Sequence, residues 1–207
     1  MPQKTEPLGL YVHIPFCASK CGYCDFYSIT DRAGRHAYTD TLVQEILSYQ
    51  GRGYTADTLF LGGGTPSLME AEELVRILSA CREAFSLDME GEITLEANPD
   101  SVSLGYLREL RQAGFNRVSF GAQSIVDREL KALGRRHDAA RIRQAMEWAK
   151  EAGFARRSLD VMVGIPYQTS ASLSRTLEEF AGMGPDHISA YLLKIEEGTP
   201  FARQNAQ

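Results

Sequence analysis

Six apolar, β-rich runs alternate with five stretches of helical periodicity, and this alternation restricts the fold more than any other feature of the chain. The strand candidates are Leu8–Ile14, Thr58–Leu61, Glu92–Ala97, Arg117–Gly121, Ser158–Val163 and His187–Leu192. The first helix is expected near Tyr38–Tyr49, supported by Leu42 and Ile46. Leu74, Leu78, Cys81 and Phe85 share one face of the second, with Ser67-Leu68-Met69-Glu70 read as a capping box at its start. Leu104, Leu107 and Leu110 mark the third, stopped by Gly114. Asp138 caps the fourth, whose stripe is Ile142, Ala145, Met146 and Ala149 before Gly153. Leu173, Leu177 and Phe180 mark the fifth, ahead of Gly182. Each helix is then a crossover, so successive strands pair in parallel. The choice lies between a doubly wound sheet and a (β/α) barrel. No helix is expected after the sixth strand, and eight βα units do not fit in 207 residues. A partial, open (β/α)6 barrel with outer helices fits better than a closed one. No linker or low-complexity tract divides the chain, so one domain is expected over 1–207.

Composition removes several classes of function. Lys and Arg number 22 against 27 Asp and Glu, a net charge of −5, which argues against a broad phosphate-neutralising face and so against nucleic acid. An apolar share of 43% is too high for intrinsic disorder. No apolar run approaches the roughly 20 residues that span a bilayer. Met1-Pro2-Gln3-Lys4-Thr5-Glu6-Pro7 lacks a signal-peptide core, which points to the cytoplasm and to reduced cysteines acting as ligands or nucleophiles.

Cys17, Cys21 and Cys24 form C-x3-C-x2-C on a loop after the first strand. Three thiolates on one short loop can wrap a corner of an iron–sulfur cube, leaving its fourth iron free for a small molecule. Gly22 relieves crowding where the backbone curls. Structural zinc is the alternative, but it favours four ligands in paired spacing, and His13, the one candidate fourth ligand, lies in a strand pattern. Cys81 belongs to an apolar helix face and reads as a small buried hydrophobe.

Other polar residues cluster where strands end. The second strand runs into Gly62-Gly63-Gly64-Thr65-Pro66, a tight turn with no Lys-Ser/Thr to make a phosphate loop. Glu96 closes the third strand, Gln123 follows the fourth, Arg135 lies in Leu133-Gly134-Arg135-Arg136, and Asp160 interrupts the apolar fifth strand. Barrel sites form at the C-terminal ends of strands, and a carboxylate among β-branched residues needs a partner or a ligand. Read singly, Glu96 is a strand-end charge, Arg135 a solvated loop residue and Asp160 half of a salt bridge. Trp148 and Met146 read as packing, Glu178-Glu179 as a solvated helix face, and His36, His137 and His187 as satisfied or solvated histidines.

With its aromatic Tyr23 before the last cysteine, the cysteine loop resembles the signature of radical S-adenosylmethionine (SAM) enzymes. Tyr11-Val12-His13-Ile14-Pro15-Phe16-Cys17 narrows the resemblance to the oxygen-independent coproporphyrinogen III oxidase family, which includes HemW-type heme chaperones. It runs from about Leu8 to the last residues. The resemblance implies a partial TIM-like barrel and a 4Fe–4S cluster on Cys17, Cys21 and Cys24. It also implies SAM on the open iron, with one electron from an external donor starting radical chemistry at the sulfonium. Gly63, Gly64 and Thr65 match the motif that contacts the methionyl amino group. Glu96, Gln123, Arg135 and Asp160 carry over as SAM-binding positions, with Tyr11 and Tyr23. Carboxylates and amides suit ribose hydroxyls, and a guanidinium suits the methionyl carboxylate.

Family oxidases carry a further cysteine two positions after the third ligand, where this chain has Phe26. That difference favours the heme-chaperone branch, with heme or a porphyrin as cargo and homodimerisation compatible with it. A porphyrinogen dehydrogenase and a non-catalytic zinc module are the alternatives. Family members continue past Gln207 into a C-terminal domain that helps form the porphyrin or heme region. The resemblance therefore implies a C-terminally truncated chain, the radical SAM core alone.

Overall fold

The computed structural model describes residues 6–88 and 90–205. The N-terminal residues 1–5, read above as part of a segment without a signal-peptide core, lie outside them. Six strands form one sheet: β1 (Leu8–Ile14), β2 (Ala56–Gly63), β3 (Glu92–Ala97), β4 (Arg117–Gln123), β5 (Arg156–Val163) and β6 (His187–Leu192). The helices are α1 (Arg35–Leu47), α2 (Ala71–Phe85), α3 (Leu104–Ala113), α4 (Asp127–Ala132), α5 (Ala139–Glu151), α6 (Ser170–Gly182) and α7 (Pro200–Asn205).

Spatial order follows chain order from β1 to β6, and every neighbouring pair is parallel. A doubly wound sheet reverses its order at a switch point, and this one does not. It is the wall of a partial barrel, with β1 and β6 as its edges.

Side chains on a strand alternate between two faces, and register aligns like with like across the wall. Leu59 pairs with Ile93 and Leu61 with Leu95; Leu95 in turn pairs with Val118, and Phe120 with Leu159. All of these are buried beneath the helices, against Leu74, Ile77, Leu107 and Ile142. Each such side chain contributes about 1.5–3 kcal/mol by leaving water. The opposite face carries the intervening residues Phe60, Thr94, Glu96, Ser119 and Asp160, so the barrel interior is mostly polar.

Four local expectations are corrected. α2 is capped by Glu70 with Glu73, not by Ser67, because residues Pro66–Leu68 form a separate 3-10 turn. Ser67 instead bonds Ser101 and the Asn98 N–H. In α6, Leu177 is 41% exposed and Thr176 takes the buried position, bonding the Ile125 N–H. Gly182 is that helix's last residue rather than its stop. A helix, α7, does follow the sixth strand: Phe201 seats it in a small core with Leu133, Met162 and Ile165.

Candidate cofactor site

The cysteine loop leaves β1 and is closed on itself. Ile29 N–H donates to the Pro15 carbonyl at 2.8 Å, and Cys17 N–H donates to the Ile29 carbonyl at 2.9 Å. Phe16, buried edge-on against Tyr38, anchors the start of the loop. Within it Cys24 N–H donates to the Cys21 carbonyl at 3.2 Å, closing a turn between the last two cysteines. The three cysteines are free and partly buried. Burial first, then the neighbouring Cys21 and Cys17, push the Cys24 thiol up. The ring of Phe201 lies where a Cβ on Gly22 would be, 2.6 Å from its nearest atom, so close packing by α7 explains this glycine.

The glycine turn is fastened to the same loop. Gly64 N–H donates to the Ile14 carbonyl at 2.7 Å and Thr65 N–H to the Phe16 carbonyl at 2.8 Å. Gly63 has φ +115°, and a Cβ there would strike the His13 ring. The result sets the Thr65 hydroxyl 3.7 Å from Cys17 Sγ as a donor. His13 itself packs on Gly63 and hydrogen-bonds the Tyr27 carbonyl at 3.0 Å. Among the described residues, no three His, Cys, Asp or Glu side chains converge to hold a single metal ion. The two His13 ring nitrogens face the Tyr11 hydroxyl and the Tyr27 carbonyl.

Strand ends supply the rest. Glu96 accepts the Gly63 N–H at 3.1 Å. Its pKa rises to about 7, first from burial and then from Asp160, against the lowering effect of that hydrogen bond. Asp160 accepts from Ser119 at 3.4 Å, and burial raises it too, opposed by Ser189, Ser119 and Arg135. β4 slips register between Phe120 and Gln123, which puts Gln123 at φ +69° and leaves its Oε1 buried without a protein partner. Arg135 donates to Asn98 Oδ1 at 3.0 Å and to the Tyr23 hydroxyl at 2.7 Å, while its Nε is buried and unpartnered. Burial pushes the Tyr23 phenol up to about 12, with Arg135 acting the other way.

All these residues open into one cavity of about 450 Å³ at the C-terminal end of the sheet. It is lined by every predicted site residue except Tyr11: Cys17, Cys21, Tyr23, Cys24, Gly63, Gly64, Thr65, Glu96, Gln123, Arg135 and Asp160. Tyr11 lies lower on β1, 60% exposed, stacked on Phe60 with its hydroxyl toward His13. Sequence reasoning passed over Asn98 and Ser119, which hold Arg135 and Asp160 in place. Asn98 had the signal of its place just past the end of β3, whereas Ser119 lies within β4 and had none. Phe26 lines the mouth and is 70% exposed.

Known proteins resemble this chain in sequence and in fold. The chain is 36% identical over 209 residues to heme chaperone HemW of Mycobacterium tuberculosis (strain CDC 1551 / Oshkosh), covering 98% of this chain and 54% of that protein. It is 36% identical over 203 residues to heme chaperone HemW of Escherichia coli (strain K12), covering 96% of this chain and 53% of the relative. The chain thus spans about half the length of the curated relatives it matches. Among solved structures, the radical SAM coproporphyrinogen III oxidase of Escherichia coli superposes with a TM-score of 0.86 at 33% identity, over 96% of this chain and 46% of that one. The Radical SAM superfamily model matches residues 11–180. The chain belongs to the Radical SAM superfamily.

Proposed function

We propose that the chain binds a 4Fe–4S cluster through Cys17, Cys21 and Cys24, binds SAM in the adjoining cavity, and acts as a HemW-like heme chaperone in heme and porphyrin metabolism. The observation that carries this reading is convergence. Residues from the ends of β2, β3, β4 and β5, far apart in sequence, meet the three thiols around one cavity of about 450 Å³, a size suited to a small cofactor. The donor set fits both groups. Thiolates suit iron, carboxylates and amides suit ribose hydroxyls, and Arg135 suits a carboxylate. Gln123 and Arg135 both line that cavity, and each keeps a buried polar atom, Oε1 and Nε, without a partner among the described residues. When bound, the cluster and SAM together supply one-electron radical chemistry, which the protein only positions and shields.

The residues of this chain divide that work. The cysteine thiolates carry the negative charge that holds iron. The turn at Gly63-Gly64-Thr65 offers backbone polar groups at close range because no side chain intervenes. Glu96, with a pKa of about 7, can hold or release a proton near neutrality. Phe26 makes the mouth apolar at the position where family oxidases carry a cysteine.

The structural likeness to the Escherichia coli oxidase favours a second reading, a coproporphyrinogen III dehydrogenase that removes propionate carboxyls oxidatively. One experiment separates the readings. Anaerobically reconstituted protein is titrated with heme and, separately, given coproporphyrinogen III, SAM and a reductant, with products followed by chromatography. Heme binding without protoporphyrinogen supports the chaperone, and clear turnover overturns it in favour of the dehydrogenase. Zinc in place of iron after anaerobic purification removes both.

A further inference from the structure

We infer that Asn98 is a positioning residue, holding Arg135 and Thr65 in the orientation in which they face SAM and the cluster; this rests on the functional reading above. Asn98 is the first residue beyond β3, and its main chain is fixed without help from its side chain. Its N–H donates to Ser67 Oγ at 3.2 Å, and its carbonyl accepts the Ser101 N–H at 3.0 Å and the Ser101 hydroxyl at 2.8 Å. Substituting the side chain leaves those bonds available, so the turn does not require an asparagine.

The side chain points the other way, into the site. Asn98 Oδ1 accepts from Arg135 Nη1 at 3.0 Å, and Asn98 Nδ2 donates to Thr65 Oγ1 at 3.3 Å. Arginine only donates, so the amide oxygen must face Arg135 and the NH₂ must face Thr65. The Thr65 hydroxyl proton is then free to point to Cys17 Sγ, 3.7 Å away. Donors thus run in one direction from a guanidinium through an amide and a hydroxyl to a sulfur. Each bond in such a chain polarises the next. Only a side chain that accepts and donates at once can sit at its centre. Aspartate keeps the bond to Arg135 but has no donor for Thr65, whose hydroxyl proton is then drawn from Cys17 to the carboxylate; alanine loses both bonds.

Arg135 shows what the bond accomplishes. The guanidinium is held on two arms, by Asn98 at Nη1 and by Tyr23 at Nη2. Its Nε is buried and has no partner among the described residues. Two of the five guanidinium N–H groups are thereby committed, which fixes the plane of the group where it lines the cavity, and a fixed guanidinium loses less entropy on meeting a ligand carboxylate than a mobile one. Asn98 lines the same cavity as Arg135 and Thr65, and also the small cleft behind Arg135 beside Asp100 and His137.

The test measures SAM affinity by calorimetry on anaerobically reconstituted protein. Iron content and the electron paramagnetic resonance spectrum of the reduced cluster, with and without SAM, serve as separate readouts. Asn98→Ala should weaken SAM binding by about ten- to a hundred-fold while iron loading stays at the wild-type level. Asn98→Asp should recover most of that affinity, because the acceptor for Arg135 is restored. Adding Asn98→Ala to Arg135→Ala should cost clearly less than the sum of the two, since only the contact to Thr65 is left to lose. Wild-type affinity in Asn98→Ala overturns the inference, as does an additive loss in the double variant. If Asn98→Ala does not fold, Asn98→Asp decides: affinity near wild type supports the role, and a loss as large as that of Arg135→Ala overturns it. If wild-type protein loads iron yet binds no SAM, the functional reading fails first and this inference falls with it. If Arg135→Ala weakens SAM and Asn98→Ala does not, only the inference fails.

Discussion

Cys81 and Cys21 carry the same side chain into opposite chemistries. Cys81 lies on the core face of α2, where burial pushes its thiol up to about 12 and keeps it protonated and inert. Cys21 is partly exposed on a loop with two further thiols for company. On the proposed function Cys21→Ala removes one of three cluster thiolates, so anaerobic reconstitution should leave the cluster lost or badly depleted. Cys81→Ala should load iron like wild type and lose about 1 kcal/mol of stability from the small void it leaves. Iron analysis beside urea unfolding checks both, and equal iron loss in the two variants would overturn the ligand assignment. Gly22 makes a related point, since its lack of a side chain answers to a ring arriving from the far end of the chain.

That ring belongs to α7, a six-residue helix whose importance exceeds its length. Phe201 N–H donates to the Gly22 carbonyl at 3.0 Å, and its ring meets Tyr23 edge-on at 6.3 Å. Tyr23 in turn accepts from Arg135, so α7 supports the cysteine loop and the arginine together. Gly22→Ala places a methyl against the ring and should cost about 1–3 kcal/mol, as overpacking does. Phe201→Ala should cost about 3 kcal/mol by leaving a void beside Leu133 and Met162. Combined, the two should cost less than their sum, because the methyl then occupies space the ring has left. Thermal unfolding reads all three variants; an unchanged Tm in Gly22→Ala would show that the ring moves aside freely.

Two buried groups, Glu96 in the cavity and His137 in the small cleft beside Arg135, give the folded protein pH responses of opposite sign. Glu96 faces Asp160, Arg117 and the Gly63 N–H, and its pKa rises from 4.5 to about 7. The folded state therefore holds this proton longer than the unfolded state, so Glu96's contribution is full below pH 4.5 and is lost as pH rises through 7. His137 is buried against the Ala122 carbonyl, with Arg135, Asp100 and Asp138 nearby, and falls from 6.5 to about 4. Its contribution has the opposite sign: full above pH 6.5 and lost as pH falls through 4. Each spans about 3 kcal/mol. Between pH 4.5 and 6.5 the two slopes largely cancel. Urea unfolding of the cluster-free protein should accordingly show stability rising with pH over this window in Glu96→Gln and falling in His137→Gln. Parallel curves for the two variants would show that these groups do not set the response.

Local chemistry accounts for much of this molecule before any long-range contact is considered. Alternation of period two and period 3.6, with glycine stops, marks the strands and five main helices. Spacing alone brings three thiols onto one loop, since Cys17 to Cys24 is a stretch too short to scatter them. The orientation of the strand-end residues is of another kind. The Arg135 contacts to Asn98 and Tyr23 bridge 37 and 112 positions in the chain, and no propensity acts over that distance. Gln123 takes φ +69° only because β4 shifts register against β5. Ser67 sits in a 3-10 turn ahead of α2, so Glu70 caps the helix and the Ser67 hydroxyl bonds Ser101 and the Asn98 N–H beyond β3. Tyr11 shares the cysteine motif yet lies outside the cavity, because its height on the strand determines how far its ring can reach. Sequence thus settles which residues are available and which local element carries each. Their meeting around one cavity waits for six strands in register, because hydrogen-bond geometry between distant residues exists only once the sheet holds them at bonding distance.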